Sequence, residues 1–215
     1  MKDIAIYGAG GLGREVAAVL PRLTYCNPEG WNLIGFFDDG CKSGDQIGNF
    51  GTILGGINEL NNWPEQIGIA LAFGEPATIK AVRNKITNPL ISFPNLINQN
   101  FDVTDPDTLS IGEGNIIQGN CIATTSVHIG NFNLLNASIT LGHDVTVGDY
   151  NVFMPGCRIS GEANIGSGCL FGAMSFVKQQ LTVPDGVRLS PLSALLTKPK
   201  PNSTYIGNPA KRMCF

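Results

Sequence analysis

From residue 111 onward, apolar residues recur at every sixth position: Ile111, Ile117, Ala123, Ile129, Leu135, Leu141, Val147, Phe153, Ile159, Ile165, Phe171, Val177 and Val183, of which only Ala123 is small. A period of six matches neither the 3.6 of an α-helix nor the 2 of a half-buried strand. It predicts a parallel β-helix, in which short strands meet at corners. Glycine follows the apolar position at Gly112, Gly130, Gly142, Gly148, Gly166 and Gly172, and is expected to relieve the turn there. With three hexapeptides per coil, residues 18 apart stack. Ile111, Ile129, Val147, Ile165 and Val183 then form one column, Ile117, Leu135, Phe153 and Phe171 a second, and Ala123, Leu141, Ile159 and Val177 a third. Asn115, Asn133 and Asn151 share that spacing and predict an inward amide ladder, with a step of about 4.8 Å between coils. Cys121 and Cys157 fall on one face two coils apart, with Ile139 between them, too far for a disulfide.

The first hundred residues follow another pattern. A short apolar strand at 3–7 runs into Gly8-Ala9-Gly10-Gly11-Leu12-Gly13, followed by a helical segment at 14–20 that Pro21 stops. A second strand is predicted at 31–37 and ends on Asp38 and Asp39; further strands at 52–54 and 69–73 and a helix at 76–86 complete a small three-layer α/β unit. In such a unit Gly8, Gly10, Gly11 and Gly13 let the backbone approach a phosphate at a helix N-terminus. Asp38 and Asp39 hold the topological place of the acid in dinucleotide folds, although Asp38 lies 30 positions after Gly8. The other reading is a tight structural turn with two solvated aspartates. The division falls into a Rossmann-like domain over 1–97 and a β-helix over 98–215.

Composition narrows the function. Lys and Arg number 14 against 17 Asp and Glu, a net charge of -3, which argues against nucleic acid as a partner. No run of 18 apolar residues is present, and the glycines near the N-terminus interrupt any signal-peptide core, so the chain reads as cytosolic, with no membrane insertion. The six cysteines form no CxxC pair and are expected to be free thiols. Residues 109–184 carry only Glu113, Asp144, Asp149, Arg158, Glu162 and Lys178 as formal charges. Faces so poor in charge are expected to meet copies of themselves in a homotrimer.

His128 and His143 are the two histidines. His143 follows His128 by less than one full coil, so the two do not stack, and two are too few for a three-histidine zinc site; no metal is expected. His143 stands on a corner where packing does not ask for imidazole, and Asp144 beside it suits a general base whose tautomer the carboxylate fixes. A solvated His-Asp turn is the other reading.

The chain resembles the hexapeptide acyltransferases of the sialic acid O-acetyltransferase and bacillosamine-type amino-sugar N-acetyltransferase family. The resemblance runs through Ile6-Tyr-Gly-Ala-Gly-Gly-Leu-Gly-Arg-Glu15, Gly35-Phe-Phe-Asp-Asp39, Leu141-Gly-His-Asp-Val-Thr-Val-Gly148 and Gly207-Asn-Pro-Ala-Lys211. It implies an N-terminal domain that binds a nucleotide sugar and a left-handed β-helix that binds acetyl-CoA between subunits of a trimer. It makes His143 the catalytic base, Asp144 its acidic partner, Asp38 and Asp39 the acids that reach the nucleobase, and Gly161 the corner glycine whose amide faces the thioester carbonyl. Lys198, Lys200 and Lys211, with Arg212, follow the repeat and are assigned to the CoA phosphates; a solvated basic tail is the alternative. The expected reaction is N-acetylation of a UDP-type 4-amino sugar in surface glycan or polysaccharide biosynthesis. A sugar O-acetyltransferase and a non-catalytic trimeric nucleotide-binding scaffold are the rivals.

Overall fold

Residues 4–7 are apolar without alternation, the signature of a strand covered on both faces, and each is at most 2% exposed in β1 (Lys2–Tyr7). The computed structural model describes residues 1–213, and the chain divides into two compact units, 1–99 and 100–215. In the first, β1 leads into α1 (Gly11–Val19), β2 (Trp31–Phe37), β3 (Ile53–Gly55), α2 (Ile57–Asn61), β4 (Ile67–Leu71), α3 (Pro76–Lys85) and β5 (Ile91–Ser92). The sheet is parallel throughout, in the order β3-β2-β1-β4-β5. Successive strands are added on one side of β1 and then on the other, which creates a switch point beside the C-terminal end of β1. α1 starts inside the glycine run rather than after it. The five-residue α2 was not legible, because its single buried apolar residue, Leu60, gives no periodicity to read.

The second unit is a three-faced parallel β-helix of two-residue strands. One face stacks Ser110–Ile111, His128–Ile129, Thr146–Val147, Asn164–Ile165 and Thr182–Val183. A second stacks Ile116–Ile117, Leu134–Leu135, Val152–Phe153, Leu170–Phe171 and Arg188–Leu189; the third stacks Ile122–Ala123, Thr140–Leu141, Arg158–Ile159, Phe176–Val177 and Ala194–Leu195. In all these pairs the partner lies one full coil of three hexapeptides along the chain, as in Leu141↔Ile159 and Val147↔Ile165. The three columns read from the sequence are therefore the three walls of the interior. Leu135, Leu141, Phe153, Phe171 and Val177 are fully buried, and the Phe153 and Phe171 rings stack at 4.8 Å and 4°. The asparagine ladder is present as well. Asn115 Oδ1 accepts from the Asn133 backbone N–H at 2.9 Å and side-chain amide at 3.0 Å, and Asn133 Oδ1 accepts the same pair from Asn151 at 2.8 and 3.1 Å.

The corner glycines do a different job from the one expected. The left-handed backbone position comes two residues later and recurs every sixth residue from Gly114 (φ 68) to Leu192 (φ 57), through Asn120, Ser126, Phe132, Ser138, Asp144, Tyr150, Gly156, Glu162, Gly168, Met174, Gln180 and Gly186. Gly112, Gly130, Gly142, Gly148, Gly166 and Gly172 have no positive φ; a Cβ on any of them would lie 2.3–2.7 Å from an atom of the next coil. They are small because successive corners touch, and the turn itself is imposed on residues of every kind at a cost of roughly 1–2 kcal/mol for each non-glycine.

Cys121, Cys157 and Cys169 are buried free thiols, Cys26 and Cys41 are exposed free thiols, and Cys214 lies outside the described residues. No helix among the described residues is long and apolar enough to cross a membrane.

Candidate functional site

His143 and Asp144 occupy the corner that follows strand Thr140–Leu141. The interior holds that corner through fully buried Leu141 and Val145 on either side. Asp144 has φ 58, a conformation that aspartate tolerates better than most residues. Its Oδ2 lies 2.8 Å from His143 Nδ1, and the two side chains are 48% (His143) and 57% (Asp144) exposed. A carboxylate only accepts, so Nδ1 carries the hydrogen, and it is Nε2 that presents the lone pair whenever the ring is neutral.

One coil on, Gly161 completes the corner. A Cβ there would meet His143 Nε2 at 2.4 Å, Cε1 at 2.6 Å and Cδ2 at 2.8 Å, so the ring lies directly against the Gly161 Cα. The backbone ties the two corners together: the Glu162 N–H donates to the His143 carbonyl at 2.7 Å and the Gln180 N–H to the Gly161 carbonyl at 3.0 Å. The Gly161 N–H itself uses no acceptor among the described residues. The corner on another edge of the prism contrasts with this. There the amides of Glu113, Asn131, Asp149 and Ser167 are each capped by a side chain one coil on, at 2.7–3.0 Å. The His143 edge lacks these caps and leaves a backbone donor beside the imidazole.

Glu162 also belongs to this edge, and sequence reasoning missed it as a functional candidate. Its Oε2 accepts from the Gln180 side-chain amide and its Oε1 from Gln179, both at 3.0 Å. These bonds, Gln180's first, hold its carboxyl below the usual carboxylate range. The signal was available, because Glu162 follows Asp144 by one full coil and is one of the few charged positions in the repeat. Lys198 follows Gln180 by the same interval and extends the register beyond strand Ala194–Leu195. Lys200 is exposed in the next connection, its N–H donating to the Tyr205 hydroxyl at 2.9 Å, and Lys211 is exposed on the strand Ala210–Arg212. No hydrogen bond or ion pair of the described residues draws these three lysines together.

In the N-terminal unit the predicted residues converge at the C-terminal ends of β1 and β2. Gly13 packs α1 onto the strand, since a Cβ there would lie 1.8 Å from the Gly8 carbonyl oxygen, whereas Gly10 and Gly11 face open space. Asp38 accepts from the Ala9 N–H through Oδ2 and the Gly40 N–H through Oδ1, both at 2.8 Å, and so fixes the glycine loop to β2. Asp39 Oδ1 accepts from the Ile57 N–H at 2.8 Å at the start of α2. Both acids thus carry structural bonds. They also line, with Cys41, Gly55, Gly56 and Glu59, a cavity of about 340 Å³. Buried Tyr7 stands behind them; burial first, and the nearby carboxylate of Asp39 next, push its phenol far above the ordinary range.

His128 is exposed on its strand, with Nδ1 3.2 Å from Ser110 Oγ, and takes no part in the His143 edge. The described residues contain no group of three or more His, Cys, Asp or Glu placed to hold a metal ion.

Residues 3–88 match the family described as the PglD N-terminal domain. The whole chain is similar to the acetyltransferase domain of PglB from Neisseria gonorrhoeae FA1090 in complex with acetyl coenzyme A, with 25% identity, 99% of each chain covered and a TM-score of 0.86. It shares its fold with PerB from Caulobacter crescentus in complex with CoA and GDP-perosamine (18% identity, 100% of this chain and 98% of that one, TM-score 0.82). WeeI from Acinetobacter baumannii AYE is built alike (22% identity, 99% and 100%, TM-score 0.71). The architecture is therefore the expected one, a Rossmann-like unit followed by a left-handed β-helix. With a PglD-type N-terminal domain over residues 3–88 and a whole-chain likeness to the acetyltransferase domain of PglB, the chain is similar in both units to the NeuD/PglD-like sugar acetyltransferases.

Proposed function

We propose that the protein transfers an acetyl group from acetyl-CoA to the amine of a nucleotide-linked amino sugar, of the UDP-4-amino-sugar type, in surface glycan biosynthesis. The observation that carries this reading is the His143-Asp144 pair, hydrogen-bonded at 2.8 Å and laid against Gly161. His143 Nε2 takes a proton from the acceptor nitrogen as that nitrogen attacks the thioester carbon. The C–N bond forms, the C–S bond breaks and CoA leaves as its thiol. Asp144 holds the ring's tautomer and stabilises the imidazolium, and the Gly161 N–H receives the oxyanion. No acyl-enzyme is required, since burial pushes the Cys121 and Cys169 thiols up to about 11 and raises Cys157 as well.

The N-terminal unit holds the nucleotide: Gly8, Gly10, Gly11 and Gly13 bring backbone N–H groups to the diphosphate, and the Asp38-Asp39 cavity takes the base and ribose. Lys198, Lys200 and Lys211 answer the CoA phosphates. A homotrimer in the cytoplasm, with the charge-poor faces of the β-helix covered by other copies, completes the proposal. The relatives support the chemistry, as one is described with acetyl coenzyme A and another is a perosamine N-acetyltransferase bound to CoA and GDP-perosamine.

The test is acetyl-CoA turnover with UDP-, dTDP- and GDP-linked 4-amino sugars, comparing the native chain with His143→Ala. Turnover by the native chain that His143→Ala abolishes supports the reading. Equal activity in the two overturns the role of His143, and no turnover across the panel favours a binding module.

A further inference from the structure

Glu162 sits in a position where neither packing nor backbone conformation asks for a glutamate. Its φ of 60 suits glycine, asparagine or aspartate, and its carboxylate projects from the corner instead of filling the interior. It is nonetheless held firmly: both oxygens accept a side-chain amide at 3.0 Å, from Gln179 and Gln180, which keeps the group ionised. Its backbone N–H bonds the His143 carbonyl at 2.7 Å, and its neighbour Gly161 touches the imidazole. Asp144 is the acid next to it on this edge, and Asp105 lies further down, one coil before Thr125, whose hydroxyl donates to it at 2.8 Å. The cations are Lys178, two coils above Gly142, and Lys198, one coil beyond Gln180 in the column of Glu162. Asp144 and Glu162 thus place two carboxylates beside the imidazole and concentrate negative charge on this edge. A hydroxyl acceptor gains little from that charge. A protonated amine gains a great deal, because it arrives as a cation and must stay beside the base until it is deprotonated.

We propose that Glu162 is the specificity-determining residue for an amino acceptor: it receives the substrate's ammonium beside His143 and so selects an amine over a hydroxyl. Gln179 and Gln180 are the clamp that keeps the carboxylate facing the acceptor. The assignment rests on the acetyltransferase reading above. In it the ammonium N–H groups use the lone pairs of Glu162 that the two glutamines leave open. One proton passes to solvent before reaction, which frees the nitrogen lone pair, and His143 removes the second as the neutral amine attacks and hands it to the departing CoA sulfur.

The test is equilibrium binding at pH 6.5 without acetyl-CoA, by calorimetry, using UDP- and GDP-linked 4-amino sugars and the matching 4-hydroxy sugars. The native chain is expected to bind the amine about tenfold or more tightly than the hydroxyl compound. Glu162→Gln, and Glu162→Asn as a second variant suited to the left-handed backbone, are expected to bring the two within about twofold by weakening only the amine. In turnover with the amine, KM is expected to rise about tenfold with kcat largely kept, a split that loss of structure does not produce. A native chain that prefers the amine, together with variants that keep the preference, overturns the role of Glu162 and leaves the acetyltransferase reading standing. A native chain that binds none of the four compounds overturns both.

Discussion

The imidazole of His143 rests against the Cα of Gly161 from the neighbouring coil, with 2.4 Å between Nε2 and the place a Cβ would take at 161. Gly161 has no positive φ, and the three atoms nearest to a side chain there all belong to the ring. Gly161→Ala is therefore expected to displace His143 while the coils remain intact. Turnover should fall by about a hundredfold or more, in the range of a lost general base, with little change in Tm. Wild-type turnover in this variant would show that the ring need not lie there.

Asp144 combines a backbone role with a chemical one, and substitution separates them. Asn tolerates the left-handed conformation but cannot hold the imidazolium as an anion does, so Asp144→Asn should fold normally and lose about tenfold or more in kcat. Asp144→Ala adds a conformational cost of roughly 1–2 kcal/mol and should also lower Tm. Paired kinetics and thermal melts on the two variants check the expectation.

The amide ladder is a matter of stability alone. Asn133→Ala leaves the backbone and side-chain donors of Asn151 without their buried acceptor, and removes one of the two donors to Asn115 Oδ1, the backbone N–H of residue 133 remaining. A loss of about 2–4 kcal/mol in denaturant unfolding is expected, with turnover at low temperature preserved. A loss below about 1 kcal/mol would mean that water replaces the ladder.

Much of this was legible in the sequence for a simple reason: a β-helix repeats its chemistry at a fixed interval, so each column tests the others. Ile129, Val147 and Ile165 could be stacked on paper, and so could Asn115, Asn133 and Asn151. The meaning of Gly142 could not, because contact with the next coil and relief of a turn both favour glycine, and only dihedral angles distinguish them. The bonds that Asp38 makes to Ala9 and Gly40 were equally invisible, since they depend on how the strand ends meet in space. Glu162 was visible as a charge one coil after Asp144, but its bonds to the uncharged Gln179 and Gln180 were not.

The thiols give a pH-dependent prediction. Cys121 and Cys169 are pushed up to about 11, chiefly by burial, whereas the unfolded chain releases these protons near 9. Between those values the folded chain binds more protons than the unfolded one, so stability falls as pH rises through about 9 to 11. Denaturant midpoints across that window should decline, and Cys121→Ala with Cys169→Ala should flatten the decline. In alkylation at pH 8 followed by peptide mass mapping, Cys26 and Cys41 should react first, while Cys121, Cys157 and Cys169 wait for unfolding.

The left-handed residue at every sixth position makes each edge of the prism a ruler with one mark per coil. A long, flexible substrate lying along such an edge is measured in whole coils, about 4.8 Å at a time. Evolution can therefore retune the reach of the site by gaining or losing three hexapeptides as a block, moving one end of the ruler relative to the other without disturbing any single corner.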